Sequence, residues 1–297
     1  MDVSIIIVNY NTKELIHNCL KSIYDHTKDL TFEVIVSDNG SVDGSIEMIK
    51  SEFPEVILIE NNTNLGFGAA NNCGLRIAKG KYIFYLNSDT VLLNNAVKIF
   101  FDYWENADNK NVIGALGANL MDENHNIIHS YGPFPSFVRI LNYLFRRQVA
   151  LILKGCIPYF DQIRLNNSKL KSYEGQVDYI IGADLFLLND ENALFDERFF
   201  MYVEEVDLQY KISLKNKQRI IIMGPEIVHL GEGSDKEKNM SLIQRYASFG
   251  KIYIDISTLF FMKLHSNKLT CKVLKIFYIF SWLNPFIIKN TRKYFKT

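Results

Sequence analysis

The chain has 297 residues, of which 48% are hydrophobic, enough for one large α/β domain with additions. Lys and Arg number 33 against 33 Asp and Glu, and the four cysteines (19, 73, 156, 271) show neither metal-ligand spacing nor a paired framework. That usage suits a reducing compartment. The first residues, with Asp2, no basic stretch and too short an apolar run, are not those expected of a secretory signal peptide.

Val3-Ser-Ile-Ile-Ile-Val8 is a near-continuous β-branched run, as expected for a parallel strand covered on both faces. It stops at Asn9-Tyr10-Asn11-Thr12, and helical spacing then runs from Lys13 to Tyr24 through Leu15, Ile16, Cys19, Leu20 and Ile23. A second run, Phe32 to Ser37, stops at Asp38-Asn39-Gly40-Ser41, with Asp43 expected as N-cap of a helix from Ser45 to Phe53. A third, Val56 to Ile59, leads through Asn61, Asn62 and Asn64 to Gly66-Phe-Gly68. A helix carrying Asn71 and Asn72 is expected from there to about Lys79, with Gly80 as its C′ residue. A fourth, Lys81 to Leu86, ends in Asn87-Ser88-Asp89 and is followed by Thr90-Val-Leu-Leu93. Strand, helix, strand, helix with short links is the βαβ pattern of a doubly wound sheet.

Four polar strand ends make one crevice, and in open α/β sheets ligands lie beyond the carboxyl ends of the strands. An Asp placed there, Asp89, can hold a divalent cation that neutralises a diphosphate; a capping role at a strand-to-helix corner is the alternative. Gly66 and Gly68 either let the backbone approach a ligand or serve a tight turn. A dehydrogenase reading fails, because the turn after the first strand, Asn9 to Glu14, contains no glycine. Further on, Val177 to Ile181 reads as a strand ending at Gly182-Ala183-Asp184. Glu204, Glu205 and Asp207 open a helix, where acids are also favoured by the helix dipole. Another strand, Arg219 to Met223, precedes His229, which on its own reads as a structural histidine. Residues 133–175 show no interpretable pattern beyond room for an acceptor-side insertion.

Val8-Asn-Tyr-Asn11, Ser37-Asp-Asn-Gly-Ser-Val-Asp-Gly44, Asn64-Leu-Gly-Phe-Gly-Ala-Ala-Asn-Asn72 and Leu86-Asn-Ser-Asp89 resemble the family 2 glycosyltransferases of the GT-A fold, most of all the bacterial rhamnosyltransferase-type members. Phe199-Phe-Met-Tyr-Val-Glu-Glu-Val-Asp207 resembles the family's acidic motif, and Ile227-Val-His-Leu-Gly231 its late His motif. The resemblance covers roughly residues 1–250. It departs at Asn87, where many relatives have Asp, and at Glu204-Glu205, where Glu-Asp is usual.

The resemblance implies a mixed, mainly parallel sheet with helices on both faces, divided into a nucleotide-sugar half (1–110) and an acceptor half (111–250). It implies that Asp38 contacts the base of the donor with Asn9 and Tyr10 beside it, where a carboxylate suits the imide N–H of uracil or thymine; a purely structural Asp38 bonded to Ser41 and Asp43 is the alternative. Asn11, Asn39, Ser41, Asn64, Gly66, Gly68, Asn72, Asn87 and Ser88 complete the expected donor site. Asp89 and His229 are expected at Mg²⁺ or Mn²⁺. Glu205 aligns with the general base, with Glu204 as runner-up, and Gly182, Ala183, Asp184 and Asp207 lie on the acceptor side. The expected reaction is an inverting transfer from a UDP- or dTDP-sugar, dTDP-rhamnose being favoured by resemblance, to a saccharide or lipid-linked saccharide. A catalytically silent nucleotide-sugar-binding or scaffolding subunit is the alternative. A sugar nucleotidyltransferase would need a Gly-rich basic loop after the first strand.

Residues 251–297 hold nine Lys or Arg against one acid, Asp255, so this tail carries +8 and residues 1–250 carry −8. Its cations are interleaved with Leu259 to Met262, Ile276 to Phe280, Trp282-Leu283 and Pro285 to Ile288. That composition suits the anionic inner face of a cell membrane, or helices covered by the domain or by a second copy in a homodimer. The run from Val273 to Ile288 is too short and too interrupted to span, and cations set among aliphatics do not suit nucleic acid.

Overall fold

The computed structural model describes residues 1–156, 170–231 and 248–283. Twelve strands are described, β1 (Val3–Asn9), β2 (Phe32–Asp38), β3 (Ile57–Glu60), β4 (Tyr82–Asn87), β5 (Thr90–Leu92), β6 (Ile113–Ala118), β7 (Tyr131–Gly132), β8 (Gly175–Val177), β9 (Tyr179–Ile180), β10 (Asp184–Leu188), β11 (Gln218–Ile222) and β12 (Ile227–His229). The α-helices are α1 (Lys13–His26), α2 (Ser45–Glu52), α3 (Phe67–Leu75), α4 (Ala96–Asn106), α5 (Phe137–Cys156), α6 (Glu204–Leu214), α7 (Phe249–His265) and α8 (Lys268–Trp282).

Eight strands form one sheet in the order β3-β2-β1-β4-β10-β6-β11-β8, parallel except for β10 and β8. Two-residue alternation sorts the side chains of this sheet. Ile5 and Ile7 join α1, α2 and α4 in one buried cluster, and Ile6 joins Leu208 and Ile212 of α6 in the other, so helices cover both faces. The register places Asn9 opposite Asp38 and Val8 opposite Asn87, so the carboxyl ends of β1, β2 and β4 lie side by side. Because β10 runs antiparallel to β4, its start returns to that same edge, with Asp184 opposite Leu86.

Three local expectations change. The third helix stops at Leu75, and Gly80 is not its C′ residue: a Cβ there would lie 2.3 Å from Ser4 N, so glycine is needed for close approach to β1. Gly44 rather than Asp43 occupies the N-cap of α2. Asp43 instead accepts from Ser45 N (3.1 Å) and Lys13 N (2.8 Å), tying the starts of α2 and α1 together. The run Val177 to Ile181 is divided between β8 and β9, which pair with different partners.

The chain divides into two compact units. Of the described residues, the second unit comprises 135–156, Met201–Val203 and 248–283. It contains α5, whose buried Ile140, Leu144 and Arg147 lie on one face at helical spacing. Charge at Arg147 hid that stripe from the sequence. Its guanidinium is fully buried, bonded to Asp255 Oδ2 at 2.7 Å and stacked 4.7 Å from the Trp282 ring centroid. Of the uninterpreted stretch, residues 157–169 lie outside the described residues, as do Glu232 to Ser234 and the tail beyond 283.

Candidate active site

The first corner is built from β1, β2 and the loops that follow them. Asn9 Nδ2 donates to Asp38 Oδ2 at 2.7 Å and to Ser41 Oγ at 3.1 Å. Asp38 Oδ1 accepts from Gly40 N (3.0 Å) and Ser41 N (2.8 Å). Asp38 is thus fully buried with both oxygens engaged, and it holds the loop in shape. Tyr10, 48% exposed, and Asn11 form the open lip of the corner, and Asn11 Oδ1 accepts from Val42 N at 2.8 Å. Asn39 bonds Asn64 Oδ1 and the Gly66 carbonyl, each at 3.3 Å, which fastens the loop after β2 to the entry of α3.

Gly66 is fixed by its surroundings. Its φ is +86°, and a Cβ would lie 2.2 Å from the Phe200 carbonyl oxygen, which accepts from Phe67 N at 3.1 Å. Gly68 faces Phe195 and Glu204 in the same way, with a Cβ position 3.1 Å and 3.6 Å from theirs. Both glycines therefore bring the segment before α6 against α3. Asn72 is buried and spends its amide on the backbone of Phe195, donating at 2.9 Å and accepting at 3.0 Å, and on Glu197 at 3.0 Å.

The second corner follows β4. β5 and β12 pair antiparallel, with His229 opposite Thr90, and this ribbon carries the imidazole to within 3.2 Å of Asp89 Oδ1. Burial alone would raise the Asp89 carboxyl, but the His229 hydrogen bond and charge and the N–H groups of Asp89 and Gly231 hold it below its ordinary value. Asn87 Nδ2 lies 3.4 Å from His229 Nε2, and Asn87 Oδ1 is buried without a partner. Two strong ligands and an orphaned amide oxygen fit a divalent cation that takes its remaining ligands from phosphate and water. Among the described residues, no three His, Cys, Asp or Glu side chains converge.

The third side is the start of α6. Gly182 packs against Glu205, with a Cβ position 3.5 Å from Glu205 Cβ, and the neighbouring Ala183 carbonyl accepts from Asn87 N at 3.1 Å. The Gly-Ala corner therefore lies between the Asn87-Ser88-Asp89 turn and Glu205, which is half-buried. Glu204 is buried beside Gly68. Asp207 is buried and paired with Lys211 at 2.7 Å. Asp184 is fully buried between strands, accepting from Ala118 N at 2.6 Å, and its burial pushes the carboxyl well above the usual range.

Three residues outside the expected site set complete the site. Thr12 Oγ1 donates to Asn9 Oδ1 at 2.6 Å and lies 3.2 Å from Ser88 Oγ, joining the two corners; its place at the end of the first strand was the available signal. Gln209 is fully buried, bonds both Ile180 N (2.8 Å) and Ile180 O (2.7 Å) and donates to the Glu205 carbonyl at 3.0 Å. Its helical neighbours Glu205, Val206, Ile212 and Ser213 are mixed in polarity, so the sequence held no clear signal for it. Tyr179 is identified by tertiary structure alone: burial and then the Glu205 charge push its hydroxyl up to about 12.

A mainly parallel, doubly covered sheet with these corners at its carboxyl edge is the GT-A fold of glycosyltransferases. The sequence matches the glycosyl transferase family 2 over residues 4–164, and the chain belongs to that family. It is 37% identical over 117 residues to the uncharacterised glycosyltransferase YfnE of Bacillus subtilis, covering 38% of this chain and 30% of the relative. It is 38% identical over 112 residues to WfaP of Escherichia coli, a UDP-Glc:α-D-GlcNAc-diphosphoundecaprenol β-1,3-glucosyltransferase, covering 34% and 44%. It is 25% identical over 218 residues to the N-acetylglucosaminyl-diphospho-decaprenol L-rhamnosyltransferase of Mycobacterium tuberculosis, covering 66% of each. The chain thus matches less than half the length of the first two. Among solved structures, S. aureus TarS superposes with a TM-score of 0.54 at 15% identity over 89% of this chain and 43% of TarS. GalNAc-T7, crystallised with UDP, GalNAc and Mn²⁺, gives 0.55 at 17% over 96% and 58%.

Proposed function

We propose that this chain transfers a sugar, with inversion, from a UDP- or dTDP-sugar to a saccharide on a lipid diphosphate carrier, in the assembly of a cell-surface polysaccharide. The observation that carries the reading is the Asp89–His229 pair, 3.2 Å apart and next to the unpartnered Asn87 Oδ1. Asp89, His229 and Asn87 would hold Mg²⁺ or Mn²⁺ against the donor diphosphate, where the ion neutralises charge developing on the leaving group. A cation site with a single carboxylate is suited to completion by phosphate. The corner of Asn9, Tyr10, Asn11, Asn39 and Ser41, shaped by Asp38, takes the nucleoside; Asp38 itself reaches a base only if one of its present partners yields.

Glu205 removes the proton from the acceptor hydroxyl as that oxygen attacks the anomeric carbon. A single in-line displacement needs one general base and no enzyme nucleophile. Tyr179, kept protonated, is a donor beside that carboxylate. The lipid diphosphate acceptors named for the Escherichia coli and Mycobacterium tuberculosis relatives motivate the acceptor class. Apolar side chains exposed on α8, among them Phe277 and Phe280, alternate with Lys272 and Lys275, a composition suited to the anionic cytoplasmic face of a membrane. Among the described residues, no helix is long and apolar enough to cross one.

The test is thermal unfolding with a panel of UDP-, dTDP- and GDP-sugars in Mn²⁺, Mg²⁺ or EDTA. A donor at 100 times its Kd adds about 2.7 kcal/mol, seen as a raised Tm. The expected result is a shift with one uracil or thymine donor that disappears in EDTA and in Asp89→Ala. A shift that survives both would remove the metal from the reading, and no shift with any donor would remove the donor.

A further inference from the structure

A cavity of about 430 Å³ opens between the segment that follows β6 and the segment that carries β8. Its size falls within the roughly 300–1,000 Å³ of small-molecule sites. Two rings, Tyr131 and Tyr173, form part of its wall with centroids 5.0 Å apart. Tyr173 is held rigidly. Asn119 bonds its N–H and its carbonyl, each at 2.8 Å, and the Tyr173 hydroxyl donates to the Gln176 carbonyl at 3.0 Å. Around the rings stand His129, Lys171, Gln176 and Asp178. Aromatic faces with a few hydrogen-bonding groups match a sugar, whose ring presents apolar C–H on one face and hydroxyls at its rim.

The cavity wall is joined to the candidate base by two routes. Ser130, part of the wall, accepts from Ile181 N at 3.0 Å, and Ile181 leads directly into Gly182, which packs on Glu205. Gly132, also part of the wall, lies under the Tyr179 ring; a Cβ there would be 2.5 Å from the Tyr179 hydroxyl. Glycine at 132 is therefore required for Tyr179 to sit between the cavity and α6.

We infer that this cavity is the acceptor subsite, binding a neutral hexose or N-acetylhexosamine ring against Tyr131 and Tyr173, with Tyr179 and Glu205 behind the wall that Gly132 and the Ser130–Ile181 contact form. This rests on the glycosyl-transfer reading. It assigns acceptor recognition to the segments 127–133 and 171–178, at a distance along the chain from the motifs that form the donor corners.

Saturation-transfer NMR on the full chain, with a panel of methyl glycosides of glucose, galactose, rhamnose, N-acetylglucosamine and N-acetylgalactosamine, tests it. At least one hexoside or N-acetylhexosaminide should receive saturation in the wild type and lose it five-fold or more in Tyr131→Ala and in Tyr173→Ala. Tyr173→Phe, which keeps the ring, should retain it. In each variant the donor-induced Tm shift serves as the check on folding and on the donor site. Undiminished saturation in both alanine variants, or no saturation of any glycoside by a wild type that still binds donor, would overturn the inference. A wild type with no donor shift would instead overturn the reading on which it rests.

Discussion

At the residue scale, chemistry is concentrated in a few side chains whose partners define their state. Glu205 is half-buried against Gly182, and Glu205→Gln should lower turnover by about 10²–10⁴ while leaving the donor-induced Tm shift intact. Turnover within a few-fold of wild type would move the base elsewhere, Glu204 first. His229 offers imidazole, which suits Mn²⁺ better than Mg²⁺. His229→Ala should therefore abolish any preference for Mn²⁺ in the donor assay, and an unchanged metal dependence would leave it a purely structural partner of Asp89. The Asp89 carboxyl, held low by His229 against the effect of burial, adds stability above the unfolded carboxyl value near ~3.9 and loses it as pH falls through the folded value.

Asp184 behaves oppositely. Burial raises its carboxyl, so the folded chain retains a proton that the unfolded chain releases above ~3.9, and stability falls as pH rises from there to the folded value. Asp184→Asn keeps an oxygen for Ala118 N and removes that loss. Its Tm should exceed wild type at pH 7.5 and converge with it near pH 4, and a lower Tm at pH 7.5 would mean that the ionised carboxylate is needed.

At the element scale, the site depends on how loops are fastened to helices. Gly66 and Gly68 were legible as glycines beside a crevice, and what they adjoin is the Phe200 carbonyl, Phe195 and Glu204 rather than open space. Just before α6, Tyr202 and Val203 both adopt positive φ (65° and 70°), a conformation unfavourable for a β-branched residue and retained where surroundings over-determine it. Gln209 then fixes the helix to β9. Gln209→Leu leaves the Ile180 N–H and carbonyl unbonded in a buried site, at about 1–3 kcal/mol for each. A lowered Tm is expected, together with a fall in kcat larger than any change in donor KM. An unaltered kcat in the folded variant would show that α6 holds Glu205 without the clamp.

At the scale of the whole molecule, composition separates an acidic catalytic part from a basic C-terminal one, whereas compactness divides the chain differently. Pro135 onward joins the C-terminal helices through α5, and the buried Arg147–Asp255 pair lies within that second unit. The exposed apolar residues of α8 and its lysines predict co-sedimentation with phosphatidylglycerol vesicles that weakens with salt and in Phe277→Ser/Phe280→Ser. Equal binding to neutral phosphatidylcholine vesicles, or no effect of the double substitution, would refute an electrostatically assisted membrane face.

The order β1, α1, β2, α2, β3, α3, β4 and the polar ends of its strands were determined by local sequence, because buried parallel strands read as apolar runs and their ends as abrupt polar stops. The same logic marked Asp89, whereas the acids opening α6 were marked by their place in a first helical turn and by their resemblance to a family motif. Tertiary structure alone decided that His229 meets Asp89, since a three-residue ribbon pairs segments about 140 residues apart and carries no periodic signal of its own. It also decided that Asp38 is enclosed by Asn9 and Ser41, that Asn72 bonds Phe195, and that Tyr179 lies between Gly132 and the start of α6. Each of these is a contact across the sheet edge, fixed by register and by close backbone approach, and neither is written in the spacing of a single segment.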